Sequence, residues 1–232
     1  MPNTALFWDF DGTLIHGEDT FFNALSRALQ EYGICAPEAM VWETLRHSCT
    51  WYAPEKSYTQ ATGAKWWGRL FAGFADLYGR LGLPEETWGA LNAQFKAEIL
   101  DTGTYTLYED ALPVLRRCKA LGFKSYLLTN NFPEVAAVAD GLGLRGLYEN
   151  AIISSNLGYE KPRPEIFAAA RSAAQGAQQC VMIGDNPVAD IGGGKAAGMA
   201  AILVHRQAEC AADYICDELY AVQDILQAQW RP

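Results

Sequence analysis

The sequence predicts an α/β fold, a Rossmann-like parallel sheet core with helices on both faces, plus an inserted, mostly α-helical cap domain. Three observations carry that expectation. Short apolar runs end in polar or turn residues, stretches of helical period separate them, and one connection is far longer than the rest.

ALFWDF (5–10) is the first apolar run, followed by KSYLLTN (124–130), AIISS (151–155), CVMIGD (180–185) and AAILVH (200–205). Such near-continuous runs suit parallel strands buried on both faces. Between them EDALPVLRRCKALG (109–122), PEVAAVADGLG (133–143) and PEIFAAARSAAQ (164–175) have helical period. Two of these open on Pro and two close near Gly, the usual punctuation of helix ends.

The first connection breaks the rhythm, because roughly a hundred residues separate the first run from the second, where a few would suffice. Within it, TFFNALSRALQEYG (20–33), APEAMVWETLRHS (36–48) and PEETWGALNAQFKAEIL (84–100) are helical in period, and none reads as a strand. Residues 1–15 and 106–232 are therefore expected to form the core domain and 16–105 the cap domain. The stretch 51–74 is dense in Trp, Tyr and Phe, which at helical spacing pack into a core of their own. Its interleaved Lys56, Lys65 and Arg69, together with the surrounding aromatics, are the first residues to examine for substrate contacts.

Composition narrows the function. The chain has 232 residues, half of them hydrophobic, and 18 basic against 27 acidic residues for a net charge of -9. There is no Lys/Arg cluster to track a phosphate backbone, no signal-peptide succession and no apolar run long enough to span a membrane. A cytoplasmic protein that binds neither nucleic acid nor membrane is expected, as monomer or homodimer. The six cysteines are scattered without metal-ligand spacing, so reduced thiols are expected.

Ligands of open parallel sheets bind beyond the carboxyl ends of the strands. Asp9 and Asp11, then Thr129, Asn130 and Asn131, then Lys161, then Asp185 to Asp190 follow successive runs and should converge there. Carboxylates gathered this closely raise one another's proton affinity unless a divalent ion lies among them. Oxygen ligands suit Mg²⁺, which commonly takes one or two carboxylates and a substrate phosphate. A magnesium site that receives phosphate is the simplest account.

The ordered set D9-F-D11-G-T13, L127-L128-T129-N130, K161-P162 and G184-D185-N186-P187-V188-A189-D190 resembles the four motifs of the haloacid dehalogenase-like hydrolase superfamily, in its phosphatase form with a helical C1 cap. The resemblance covers nearly the whole chain and implies a role for each position. Asp9 is the nucleophile, forming an aspartyl-phosphate. Asp11 is the general acid and then base, with its main-chain carbonyl on the metal. Thr129 and the amide N–H of Asn130 bind the transferring phosphoryl oxygens, and Lys161 neutralises the phosphate and holds Asp9. Asp185 completes a metal set of Asp9, Asp11 and Asp185. Gly12 permits a tight turn, Thr13 braces the loop through its hydroxyl, and Asp190 anchors the loop or Lys161.

The expected function is thus Mg²⁺-dependent hydrolysis of a small phosphorylated metabolite. A phosphomutase acting on a sugar phosphate would keep every motif. A dehalogenase needs no acid at the position of Asp11, which argues against it, and a non-catalytic relative would have lost a motif carboxylate or the lysine. Gly192, Gly193 and Gly194 follow Asp190 without a G-K-[ST] ending, so close backbone packing is expected there, and no role falls to Lys195.

Overall fold

The structure, a computed structural model, describes residues 3–17 and 19–230. Its centre is a six-stranded parallel sheet of order β3-β2-β1-β4-β5-β6. The strands are β1 (Thr4–Trp8), β2 (Lys124–Thr129), β3 (Ala151–Ile153), β4 (Gln179–Gly184), β5 (Ala200–Val204) and β6 (Tyr214–Cys216). The first five match the expected runs. β6 was not foreseen, being three residues long with a half-exposed Ile215 at its middle.

Period-two alternation along β1 divides the core. Ala5 and Phe7 face one side, where they cluster with Ile166 and Phe167 from 164–173. Leu6 and Trp8 face the other, with Val114 and Leu115 from 111–120 and Leu219 and Val222 from 219–229. Helices thus cover both faces, as parallel pairing requires. Trp8 keeps its one polar atom satisfied by donating from Nε1 to Ser125 Oγ at 3.1 Å.

β1 ends earlier than the apolar run does. Asp9 N–H still bonds the Ile183 carbonyl of β4, but the Phe10 carbonyl then accepts from Leu14 and Ile15, folding 10–15 into a compact turn. Asp9 and Asp11 are thereby carried off the sheet edge rather than buried within it.

The long connection from β1 to β2 carries α1 (Thr20–Glu31), α2 (Glu38–Ser48), α3 (Ala64–Arg80) and α4 (Glu85–Leu100). Here α1 packs on α4 and α2 on α3. The aromatic stretch 51–74 splits into a short turn, a loop and the start of α3. Trp66, Trp67, Leu70 and Phe74 are buried, and Phe74 meets Phe95 of α4 edge to face. For these aromatics the packing expectation holds.

One edge of this insert is fastened to the sheet domain. Tyr58 N–H bonds the Gly158 carbonyl at 3.0 Å, and Gly63 N–H bonds the Ser155 carbonyl at 2.9 Å. The buried carboxylate of Glu160 accepts from the hydroxyls of Thr50 and Tyr58. Gly158 has φ 85°, and a Cβ there would lie 2.6 Å from Thr59 Cα, so the close approach requires glycine. Among the described residues no helix is long and apolar enough to cross a membrane.

Candidate active site

β1 lies between β2 and β4, so the loops leaving these three strands surround one crevice at the carboxyl edge of the sheet. That crevice is a cavity of about 550 Å³. Asp9, Asp11, Thr129, Asn130, Lys161 and Asp185 all line it. Residues up to 176 positions apart in sequence are brought together as the strand ends predict.

Lys161 organises the floor. Its side chain is 1% exposed, and Nζ lies 2.8 Å from Asp9 Oδ1 and 2.6 Å from Asp190 Oδ1, while also donating to the Leu128 carbonyl at 2.8 Å. Burial alone would lower the pKa of the ammonium, but Asp190 and Asp9 more than reverse this and hold it charged. The side chain of Asn130 clamps the lysine backbone in both directions, accepting from Lys161 N–H at 2.7 Å and donating to its carbonyl at 3.1 Å. Asp190 serves both expected ends, since its second oxygen accepts from Asn186 N–H at 3.0 Å.

Carboxylate oxygens of Asp9, Asp185 and Asp190 lie within 4.8 Å of one another. Asp190 spends both oxygens on Lys161 and Asn186, which leaves Asp9 and Asp185 with oxygens for a cation. Burial, then the Asp9 charge, push Asp185 up to about 6 despite Arg206 at 3.3 Å. Burial and Asp9 likewise push Asp11 up to about 7, opposed by the hydrogen bond from Asn131 Nδ2. Oxygen-only donors that disfavour each other's charge fit a hard divalent cation.

Gly12 has φ +76°, and a Cβ on it would lie 2.7 Å from the carboxyl carbon of Asp185, so the tight turn expected there is present and also admits Asp185. Thr13 differs from expectation: its hydroxyl is buried and has no hydrogen-bond partner among the described residues. The loop is held instead at the Thr13 carbonyl, 3.2 Å from Nε2 of His205, whose ring stacks on Tyr108. His205 is 192 positions away and its sequence context carries no signal of this contact.

Three further residues carry roles that the sequence did not assign, although Asn131 and Asn186 fall within the set expected to converge at this edge. Asn131 holds the Asp11 carboxyl and positions itself through Ser154 and Phe132. Gly17 covers Asp11 so closely that a Cβ would lie 2.6 Å from the Asp11 Cβ and 2.8 Å from its Cα. Asn186 caps the turn before Asp190, accepting from the amides of Val188 and Ala189. Asn186 as a turn cap was legible in N-P-x-x-D; the other two were not.

Lys56, Lys65 and Arg69 do not line the cavity, which corrects the expectation for them. Arg69 faces the C-terminal end of α2, donating to the Ser48 carbonyl at 3.0 Å and lying over the Tyr58 ring. Lys56 and Lys65 are exposed. The wall contributed by the insert is aromatic and aliphatic instead. Gly193 and Gly194 show the expected close packing, against Phe167 and Met182, and Lys195 pairs with Asp213 at 2.7 Å away from the site.

Comparison with known proteins places this geometry. The family described as haloacid dehalogenase-like hydrolase matches residues 4–198. The chain belongs to the haloacid dehalogenase-like hydrolases. Among relatives of this family, a phosphoserine phosphatase of Thermus thermophilus is 32% identical over 127 residues, 54% of this chain and 49% of that protein. A glyceraldehyde 3-phosphate phosphatase of Methanopyrus kandleri is 32% identical over 105 residues, 43% of each chain. The chain thus spans about half or less of the length of these curated relatives. The magnesium-bound HAD-hydrolase YfnB of Bacillus subtilis superposes with TM-score 0.77 at 20% identity, covering 97% of this chain and 99% of that one. A 2-haloacid dehalogenase of Pseudomonas syringae gives 0.71 at 24%, covering 98% and 99%. At these identities the structural likeness speaks for the fold.

Proposed function

We propose that this haloacid dehalogenase-like hydrolase is a Mg²⁺-dependent phosphatase that cleaves phosphomonoesters of a small cytoplasmic metabolite. Residues 1–15 and 106–232 form its catalytic core and 16–105 its cap. The observation that carries this reading is the cavity floor, where buried Lys161 braces Asp9 and a second carboxyl, Asp11, is held beside it on Asn131. Both phosphatases among the relatives point the same way.

In this reading the free oxygen of Asp9 attacks phosphorus, and the departing alcohol takes a proton from Asp11. A carboxyl pushed up to about 7 is a competent donor near neutrality, and Asn131 aims it. Asp11 then removes a proton from water, which attacks the phosphorus of the aspartyl-phosphate and frees Asp9 and phosphate. Thr129 and the Asn130 amide cradle the phosphoryl oxygens, and Lys161 offsets their charge. Asp9, Asp185 and the Asp11 carbonyl would hold Mg²⁺, which would supply positive charge to offset the repulsion between anionic nucleophile and anionic ester.

The test is release of phosphate from p-nitrophenyl phosphate, which is expected with Mg²⁺, lost on adding EDTA and restored by excess Mg²⁺. Equal rates with and without chelator would overturn the metal assignment. Gly17→Ala provides a second check that replaces none of the acids, since its methyl group displaces Asp11. It is expected to lower kcat by about 10- to 100-fold with an unchanged far-UV spectrum. Wild-type kcat would show that Asp11 does not need the placement Gly17 gives it.

A further inference from the structure

The cavity wall opposite the carboxylates has a composition that the catalytic reading does not require. From the insert come two ring pairs, Phe22 stacked on Trp42 at 4.8 Å and Phe21 edge-on to Trp51 at 4.7 Å, with Leu45 and Tyr52 beside them. From the sheet domain come Pro162, Val188 and Ala189. Tyr52 and Val188 are 47% and 67% exposed, so two large apolar side chains stand at the mouth without covering.

Charge is the second observation. Among the described residues that line the cavity, Lys161 is the sole cation, and it already serves Asp9, Asp190 and the Leu128 carbonyl. Facing it are Asp9, Asp11 and Asp185. Arg46, Lys56, Lys65 and Arg69 all lie outside the lining, as does Arg206, whose guanidinium is engaged by Asp185 at 3.3 Å. A substrate with a carboxylate besides its phosphate would carry that charge to an apolar wall with no partner, and burying an unpaired charge is costly. A flat uncharged body would instead find ring faces and edges, which favour offset and edge-to-face contacts. The volume of about 550 Å³ suffices for a one- or two-ring alcohol with its phosphate.

We propose that the cavity selects phosphomonoesters whose alcohol bears a planar, uncharged aromatic or heteroaromatic ring, and disfavours those with a second anionic group. The inference rests on the phosphatase reading for its chemistry, while the wall acts on the ligand body whether or not turnover follows. Trp42 and Trp51 form the ring-binding faces, and Tyr52 closes over the outer end.

The experiment has a turnover arm and a binding arm. 2-Phenylethyl phosphate, butyl phosphate and O-phosphoserine are all esters of primary alcohols, and since the ammonium of serine makes it the better leaving group, a kcat/KM order that favours the phenylethyl ester reports on the wall. The phenylethyl ester is expected to exceed phosphoserine by about tenfold or more and butyl phosphate by a smaller factor. Uridine 5′-monophosphate tests whether a nucleoside or a simpler ring alcohol is the better source of the ring. In the binding arm, calorimetry with Mg²⁺ compares 3-phenylpropylphosphonate with 2-amino-4-phosphonobutyrate, neither of which can be hydrolysed.

Trp51→Ala is expected to collapse the phenylethyl-to-butyl ratio, chiefly through KM. Tyr52→Arg, at an exposed position that tolerates substitution, is expected to move the ratio toward phosphoserine. Equal or better use of phosphoserine, or equal binding of the two phosphonates, would overturn the selectivity. Absence of turnover on every ester together with selective binding of the phenyl phosphonate would overturn the phosphatase reading and leave the wall assignment standing.

Discussion

Asp9→Asn is expected to reduce Mg²⁺-dependent hydrolysis of p-nitrophenyl phosphate by about 10³-fold or more. The amide is nearly isosteric, but its oxygen is a poor nucleophile and carries no charge toward a cation. Folding should survive, because Lys161 keeps its 2.6 Å contact with Asp190 and its bond to the Leu128 carbonyl. Removing one of three crowded acids also relieves Asp11 and Asp185, each pushed up in part by Asp9. The urea midpoint is therefore expected to equal or exceed the wild-type value. Steady-state assays and urea unfolding monitored by circular dichroism check both halves, and near-normal turnover by the variant would remove Asp9 as the nucleophile.

Lys161→Met should cost activity and stability together. The lysine is almost fully buried between two carboxylates, and taking one partner from a buried pair typically costs about 3–5 kcal/mol. The double variant Lys161→Met, Asp190→Asn separates the effects. With Asp190 neutral, its side chain can still accept the Asn186 amide, so much of the lost stability is expected to return while turnover stays absent. Equilibrium unfolding of the two variants beside the wild type is the measurement. If the single variant unfolds at the wild-type urea concentration, the ammonium does not hold the floor together.

The parts of the fold that were legible in the sequence are those governed by local pattern. Continuous apolar runs marked the first five strands, and the polar residues ending them marked Asp9, Thr129 and Asp185 as neighbours at one sheet edge. β6 gave no such run, because an edge strand of three residues needs apolar side chains on one face only. Among site residues, those whose role depends on contact across the fold stayed hidden. Asn131 bonds Asp11 and His205 bonds the Thr13 carbonyl, and neither chain neighbourhood encodes its partner. The basic residues of 51–74 were misplaced for a related reason. Aromatics recur so densely there that the period does not say which face is inward, and the side chains that reach the cavity from the insert come largely from α1, α2 and the turn at Thr50–Tyr52. Hydrophobic density announced a packed unit, while orientation came only with tertiary contacts.

Glu160 sits one residue before Lys161, and its carboxylate is grasped by Thr50, one residue before Trp51. The chain positions to which the proposals give the ester's phosphate and its body are thus the two prongs of one staple, 110 residues apart in sequence. A ring bound against Trp51 or Tyr52, as proposed above, would thus press on a segment hydrogen-bonded to the residue beside the lysine. The expected consequence is that substitution of Thr50 alters discrimination between ester bodies as well as the setting of Lys161 beside Asp9.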